Sequence, residues 1–323
     1  MTLPELAVVV GVGLCVLAVI APWVLKSWEV SRQNECRSRI ASIGRGLIRH
    51  EDTSGAFPSG QLARRFQSTS IGRYADPDEA TATDAKPASG ASWIVAILPH
   101  MGFKELSDRW DSAKSVAANG SVAQTNLATL YCPSRTSSFG AGRLRSDCDV
   151  VVDGWTGGGC DYAACSGSGV TFKDAARQTW LLDEAQLLAT ERAGKSLFSA
   201  AATEQGVFGV NSEVTEDMIA AGDGLAWVIL VAERRVFRND SPNELRSSDG
   251  WAWGGPATLF STRRGPHAGM HYDEADSDHP GLLHVCMADS RVRTVNWNVD
   301  LRTWQNLGNF AQGSPLDHPD FRR

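Results

Sequence analysis

Twenty consecutive uncharged residues, Leu6 to Leu25, open the chain and read LAVVVGVGLCVLAVIAPWVL. A helix of that length covers about 30 Å, the hydrocarbon thickness of a bilayer. It is apolar on every face, and such a helix needs lipid or a large protein around it. A secretory signal would place Lys or Arg before the run and small residues at a cleavage site behind it. Here Met1-Thr2-Leu3-Pro4 has no base, and Trp23, Leu25 and Trp28 follow. The run therefore predicts a membrane helix. No second stretch is comparably apolar, so a polytopic membrane protein is excluded.

Glu5 is the one acid beside this run. A carboxylate at a helix start gains from the helix dipole, which would account for an exposed cap. At a membrane boundary a charge is costly and usually has a partner. The α-amino group of a neighbouring copy is one such partner and would make Glu5 an assembly device. Past the run, Val30, Ile40, Ile43, Leu47 and Ile48 recur among polar residues at a spacing near 3.6. One helix is expected from about Leu3 to Arg49, roughly 70 Å long. Gly11, Gly13 and Pro22 are its weak points, and Gly55 and Pro58 end it. Lys26, Arg32, Arg37, Arg39, Arg45 and Arg49 follow the span, a flank that the positive-inside rule holds in the cytoplasm.

Met1-Thr2-Leu3-Pro4-Glu5-Leu6 followed by an apolar helix resembles the mature start of type IV pilins and pseudopilins, with an acid at the fifth position and a proline at Pro22. Met1 and Pro4 stand where that family usually has Phe and Ile. The resemblance implies an α+β, pilin-like fold: a long N-terminal transmembrane α-helix packed on a mostly antiparallel β-sheet head with loop-rich insertions. It implies cleavage of a short basic leader by a prepilin peptidase, methylation of the new terminus, and a role for Met1, Glu5 and Pro22 in assembly. Met1 is then a processed terminus, a start placed too late, or the end of a chain that is never processed. The implied partners are other copies of the chain and an inner-membrane assembly or secretion machinery. The implied location is single-pass in the inner membrane, with the head in the periplasm or at the cell surface, against the sign of the basic flank.

The remainder resembles a planctomycete-abundant family catalogued as domain of unknown function fifteen-fifty-nine. The matching segments run in order: Cys36, Ile43-Gly44, Leu47, His50, Asp52 and Gly55-Ala56-Phe57-Pro58-Ser59-Gly60; Ser92-Trp93 through Leu98-Pro99-His100; Leu130-Tyr131-Cys132-Pro133-Ser134; Asp161-Tyr162-Ala163; Asp223-Gly224 through Glu233; and His279-Pro280-Gly281 through Asp289-Ser290-Arg291-Val292. The family-motif positions of greatest interest are His279, Gly281, Asp289, Asp223, Gly224 and Glu233.

Read on their own, Ala226–Ala232 and Leu282–Ala288 are apolar runs of strand length. Arg291–Trp297 alternates polar with apolar, so residues 282–297 predict a hairpin turning at Ala288-Asp289-Ser290. Where the family has Gly, this chain has Ser290, which argues against a turn needing positive φ. Gln61–Ser92 reads as an exposed excursion, and Asp174–Ala201 as one or two short helices. The expected organisation is a membrane-spanning and assembly helix at 1–50, an extracytoplasmic head at 51–316 and a polar tail at 317–323.

Lys and Arg total 31 against 37 for Asp and Glu, a net charge of −6, which excludes a protein whose affinity rests on neutralising phosphates. Of seven cysteines, Cys15 lies in the span. Cys160 with Cys165 and Cys132 with Cys148 are the candidate disulfides of an oxidising compartment; buried free thiols are the alternative, above all for Cys286. Zinc through these cysteines is disfavoured, since no C-x-x-C pair occurs. Asp273, Asp276 and Asp278 suit a calcium loop, against the plainer reading of a solvated acidic segment. With no G-x-S-x-G, H-E-x-x-H or P-loop lysine, the expectation is not an enzyme. His279, Asp289 and Ser290 have triad residue types that hairpin proximity explains. The expected function is a pseudopilin-like structural subunit of a filament or secretion pseudopilus. The alternative is a membrane-tethered binding module that never polymerises, with Trp251 and Trp253 on an exposed ligand face.

Overall fold

The computed structural model describes residues 2–62, 91–114, 116, 118–135, 157–169, 204–209, 212–234, 250–254, 257–268 and 274–310. The expectations for Asp174–Ala201, most of Gln61–Ser92 and the tail lie outside these residues, as do Met1, Cys148 and Asp273.

Helix α1, Leu3–Ser54, is one element of 52 residues, about 78 Å at the usual rise. At its start Glu5 Oε2 accepts the Thr2 N–H at 2.8 Å. Pro22 lies inside it without ending it, at the cost of one main-chain hydrogen bond. Gly55, at φ 78°, closes it by donating its N–H to Glu51 O at 2.7 Å, the left-handed cap that glycine allows.

Five strands form one sheet: β1 Tyr162–Cys165, β2 Ile229–Glu233, β3 Leu259–Phe260, β4 Leu282–Met287 and β5 Val292–Asn296, in the order β3-β1-β2-β4-β5. Only β1 with β3 is parallel; the other pairs are antiparallel. The protein is therefore α+β with a mixed sheet. The expected hairpin is present, with Leu282 opposite Asn296 and Cys286 opposite Val292. Ser290 takes φ 63°, so the residue that argued against a left-handed turn adopts one. Its N–H donates to Met287 O at 2.9 Å, and Asp289 Oδ1 accepts the Arg291 N–H at 3.0 Å.

Short helices α2 (Trp93–Ile97), α3 (Lys104–Asp108), α4 (Gly120–Ala123) and α5 (Glu216–Ala221) occupy the connections, and α6 (Leu301–Gly308) follows the hairpin. Period-two alternation gives the sheet two apolar faces. The second half of α1 lies on one, with Ile40, Ile43 and Leu47 fully buried beside Tyr162, Val231 and Cys286. On the other face Leu283, Val285, Met287 and Phe260 meet Trp304 and Leu307 of α6. Asp300 Oδ1 caps α6 by accepting the Thr303 N–H at 2.9 Å. The head's core thus reaches back into the helix at Cys36. Val30, expected on the buried stripe, is 48% exposed, and Cys36 takes its place.

The first half of α1 has no cover: Leu6, Val12, Leu17, Ile20 and Trp23 are all exposed. Trp251 and Trp253 reverse expectation. Both are buried, and the Trp251 indole N–H donates to Thr125 O at 2.9 Å, so they build the core rather than a ligand face.

Candidate functional site

Four segments far apart in sequence converge between α1 and the sheet. The positions 29, 33, 36, 40, 43 and 47 follow one stripe of α1, which carries Glu29 and Cys36 toward the head. Cys132 stands in the turn Tyr131-Cys132-Pro133-Ser134-Arg135, where its N–H donates to Asp161 Oδ2 at 2.8 Å. Glu233 ends β2, and His279 precedes β4 in the His-Pro-Gly turn, where Gly281 takes φ 76°. One donor atom from each of Cys36, Cys132, Glu233 and His279 falls within 4.8 Å of all the others, and all four residues are buried.

Cys36 Sγ lies 2.8 Å from Cys132 Sγ, and Cys132 Sγ lies 3.6 Å from His279 Nε2. Glu233 Oε1 is 3.3 Å from the same Nε2. Its other oxygen, Oε2, accepts the His284 N–H at 2.8 Å. The far side of the His279 ring is fixed by Glu29 Oε1, 2.5 Å from Nδ1, and by Ser134 Oγ at 3.2 Å. Tyr162 directs its hydroxyl at Cys36 Sγ, 3.6 Å away. Beneath the turn, Arg135 is buried and sits 3.7 Å from Asp161 and 3.2 Å from Asp278.

These neighbours set the protonation of the group. Burial alone would disfavour the His279 imidazolium, but Cys132, Glu233 and Glu29 outweigh it and raise its pKa to about 10. The Cys36 thiol, by hydrogen bonding, pulls the Cys132 pKa down to about 7 against the effect of burial, while Cys36 itself is pushed up. Burial disfavours ionised Glu233, yet His279 and His284 hold its pKa below the ordinary value. The cluster brings two cysteine sulfurs, an imidazole and a carboxylate together away from water, chemistry suited to holding a soft or borderline cation or to thiol oxidation.

Of the residues singled out from sequence, Cys132, Glu233 and His279 meet here; Cys36 joins them from outside the candidate pairs. Cys160 and Cys165 do not pair. They belong to the two different core clusters, one on each side of the sheet, Cys160 Sγ donating to Tyr162 O at 3.0 Å and Cys165 Sγ to Gly308 O at 3.5 Å. Cys132 faces Cys36, and Cys148 lies outside the described residues. In the acidic loop, Asp276 Oδ1 contacts His267 Nδ1 at 2.7 Å and Asp278 Oδ2 accepts from Arg135 Nε at 3.2 Å, so both carboxylates have side-chain partners in the structure. Asp289 and Ser290 stay in the hairpin turn, away from the His279 ring's partners. Asp223 precedes Gly224, whose φ of 86° opens the turn into β2. Sequence reasoning named Cys36 only as a family-match position and passed over Glu29, although both sit on the same 3.6-period stripe as Ile40 and Leu47.

Fold and site together define a class: α+β heads seated on a long, partly apolar N-terminal helix through a buried thiol, imidazole and carboxylate cluster. Residues 28–302 match the family model described as "Protein of unknown function (DUF1559)", and the chain belongs to that family. The matched span holds all four cluster residues and begins beyond the apolar run. No curated protein and no solved structure matches the chain.

Proposed function

We propose that the chain is a membrane-anchored, pilin-like structural subunit whose head stands outside the cytoplasm and whose apolar half-helix packs against copies of itself. The observation behind this reading is the division of α1, one unbroken helix whose second half is core and whose first half is bare. Eleven large apolar side chains between Leu6 and Leu25 are exposed. At about 1.5–3 kcal/mol each, hiding them from water is worth on the order of 20 kcal/mol, more than the whole stability of a typical domain. Lipid and neighbouring helices can supply that cover.

Glu5 decides between filament and tether. Within one chain it already holds the Thr2 N–H, and this favours the second reading, an anchor that never polymerises. In a filament the carboxylate would exchange that bond for a neighbour's terminal amine, as the resemblance to pilins implies. Glu5→Ala should therefore leave membrane insertion intact and remove the subunit from sheared filaments. Mutant subunits recovered there at the wild-type level would refute assembly through Glu5, whereas absence of the unmutated chain from the sheared fraction would leave the tether.

A further inference from the structure

We propose that Cys36, Cys132, Glu233 and His279 form a structural zinc site that fastens α1 to the sheet. Tetrahedral Zn2+ with bonds of about 2.3 Å to sulfur and 2.0–2.1 Å to nitrogen or oxygen sets its ligands roughly 3.3–3.8 Å apart. The His279 Nε2 distances to Cys132 Sγ and Glu233 Oε1, 3.6 and 3.3 Å, fall in that range. The two sulfurs, 2.8 Å apart, open by about 1 Å to admit the ion.

Three features beyond spacing point to a cation. Glu233 is 1% exposed, and its Oε1 faces the two thiols and the imidazole with His279 Nε2, 3.3 Å away, at ion-pair rather than hydrogen-bond geometry. A buried carboxylate oxygen in that state carries a desolvation cost that a metal bond removes. His279 is held at Nδ1 by the Glu29 carboxylate, which turns Nε2 inward, the carboxylate-histidine arrangement that orients metal-bound imidazoles. The donor set, two thiolates with one imidazole and one carboxylate, suits zinc and disfavours calcium or magnesium, which take oxygen ligands. Binding releases to solvent whatever protons the two sulfurs and His279 Nε2 carry. Four protein ligands close the coordination shell, so the ion is structural and leaves no position for substrate. A Cys36–Cys132 disulfide, by contrast, would remove both sulfur donors and leave Glu233 Oε1 facing only His279 within this cluster.

The test uses the full-length chain purified in detergent under anaerobic conditions. Elemental analysis should find about one zinc per chain. Cys132→Ser and His279→Ala should lose it, while Cys165→Ser and Cys286→Ser, buried thiols outside the cluster, should retain it. Because a ligand variant can lose metal by misfolding, X-ray absorption on the unmutated chain gives an independent answer: a shell of two sulfurs and two nitrogen or oxygen atoms is expected. Exchange for Co2+ should give thiolate charge-transfer bands and the intense visible bands of a tetrahedral ion. A chain that retains no zinc after loading and desalting overturns the proposal, as does a shell without sulfur or a peptide map showing Cys36 joined to Cys132.

Discussion

Gly44 of α1 lies hard against the sheet, where a Cβ would come 2.3 Å from Cys286 Sγ. Both residues are buried, and Cys286 is fixed in β4 between its neighbours, so neither side can move away cheaply. Elsewhere in a helix, Gly→Ala gains about 0.5–1 kcal/mol from lost chain entropy. Here overpacking opposes that gain with a cost of about 1–3 kcal/mol, so Gly44→Ala should lose about 1–2 kcal/mol net. At a few degrees per kcal/mol, the melting temperature falls by about 2–8 °C. Cys286→Ala alone removes one buried sulfur and costs about 1 kcal/mol, but in the double variant it clears the space that the new methyl needs. The double variant should therefore be more stable than the two separate losses added together, with a coupling of about 1–3 kcal/mol. Gly46→Ala is the control, since its Cβ would meet the flexible Met101 side chain at 2.8 Å; it should be neutral or slightly stabilising. Thermal unfolding of the full-length chain in detergent, followed by near-ultraviolet circular dichroism of its 11 tryptophans, reads all four. A Gly44→Ala chain that melts at or above the parent, or a double variant with strictly additive losses, would refute the close-packing argument.

Trp304, fully buried and stacked on Phe260 at 6.2 Å, anchors α6 to the far face. Trp304→Ala should cost about 3–5 kcal/mol, whereas Trp304→Phe should cost far less, because the indole N–H makes no hydrogen bond among the described residues; denaturant midpoints separate the two. Asp161→Ala removes the fully buried carboxylate beside buried Arg135 and should cost about 3 kcal/mol, a loss that Asp161→Ala combined with Arg135→Met should recover in part, since the Cys132 N–H still lacks its acceptor. Burial and the nearby His100 ring, 5.7 Å away, hold the His50 pKa below its ordinary 6.5. Its neutral form is thus favoured by folding. The stability it contributes is complete above pH 6.5 and declines as the pH falls from there toward the lower folded value. A His50→Gln chain should show a shallower loss of melting temperature on acidification, and an unchanged slope would contradict this.

Where order along the chain carried the information, the sequence was readable. The apolar run, the stripe through Ile40, Ile43 and Leu47, the Gly55 stop and the β4–β5 hairpin are all local patterns with a period or a cap. Ser290 misled because residue preference disfavours positive φ without forbidding it, and the bonds flanking the turn outweigh the local cost. Trp251 and Trp253 misled for another reason: the Trp251 partner, Thr125, is 126 residues away. The cluster was half visible. Cys132, Glu233 and His279 were each noted, but ligand spacing was sought within short motifs, while these donors are brought together across 96 and 147 residues. No period records a meeting of that kind; it arises from the order in which strands enter the sheet.

Continuity of α1 also determines how force would travel. The helix runs unbroken from its bare half into the head, so tension applied at the N-terminal end passes along one hydrogen-bonded spiral. The first side chains to transmit it are Glu29 and Cys36, through His279 and Cys132, before the broad apolar contact at Ile40 to Leu47 engages. That small buried junction works as a strain gauge at the neck. A pull that breaks it peels the helix from the sheet one residue at a time, whereas an intact junction makes the whole contact share the load.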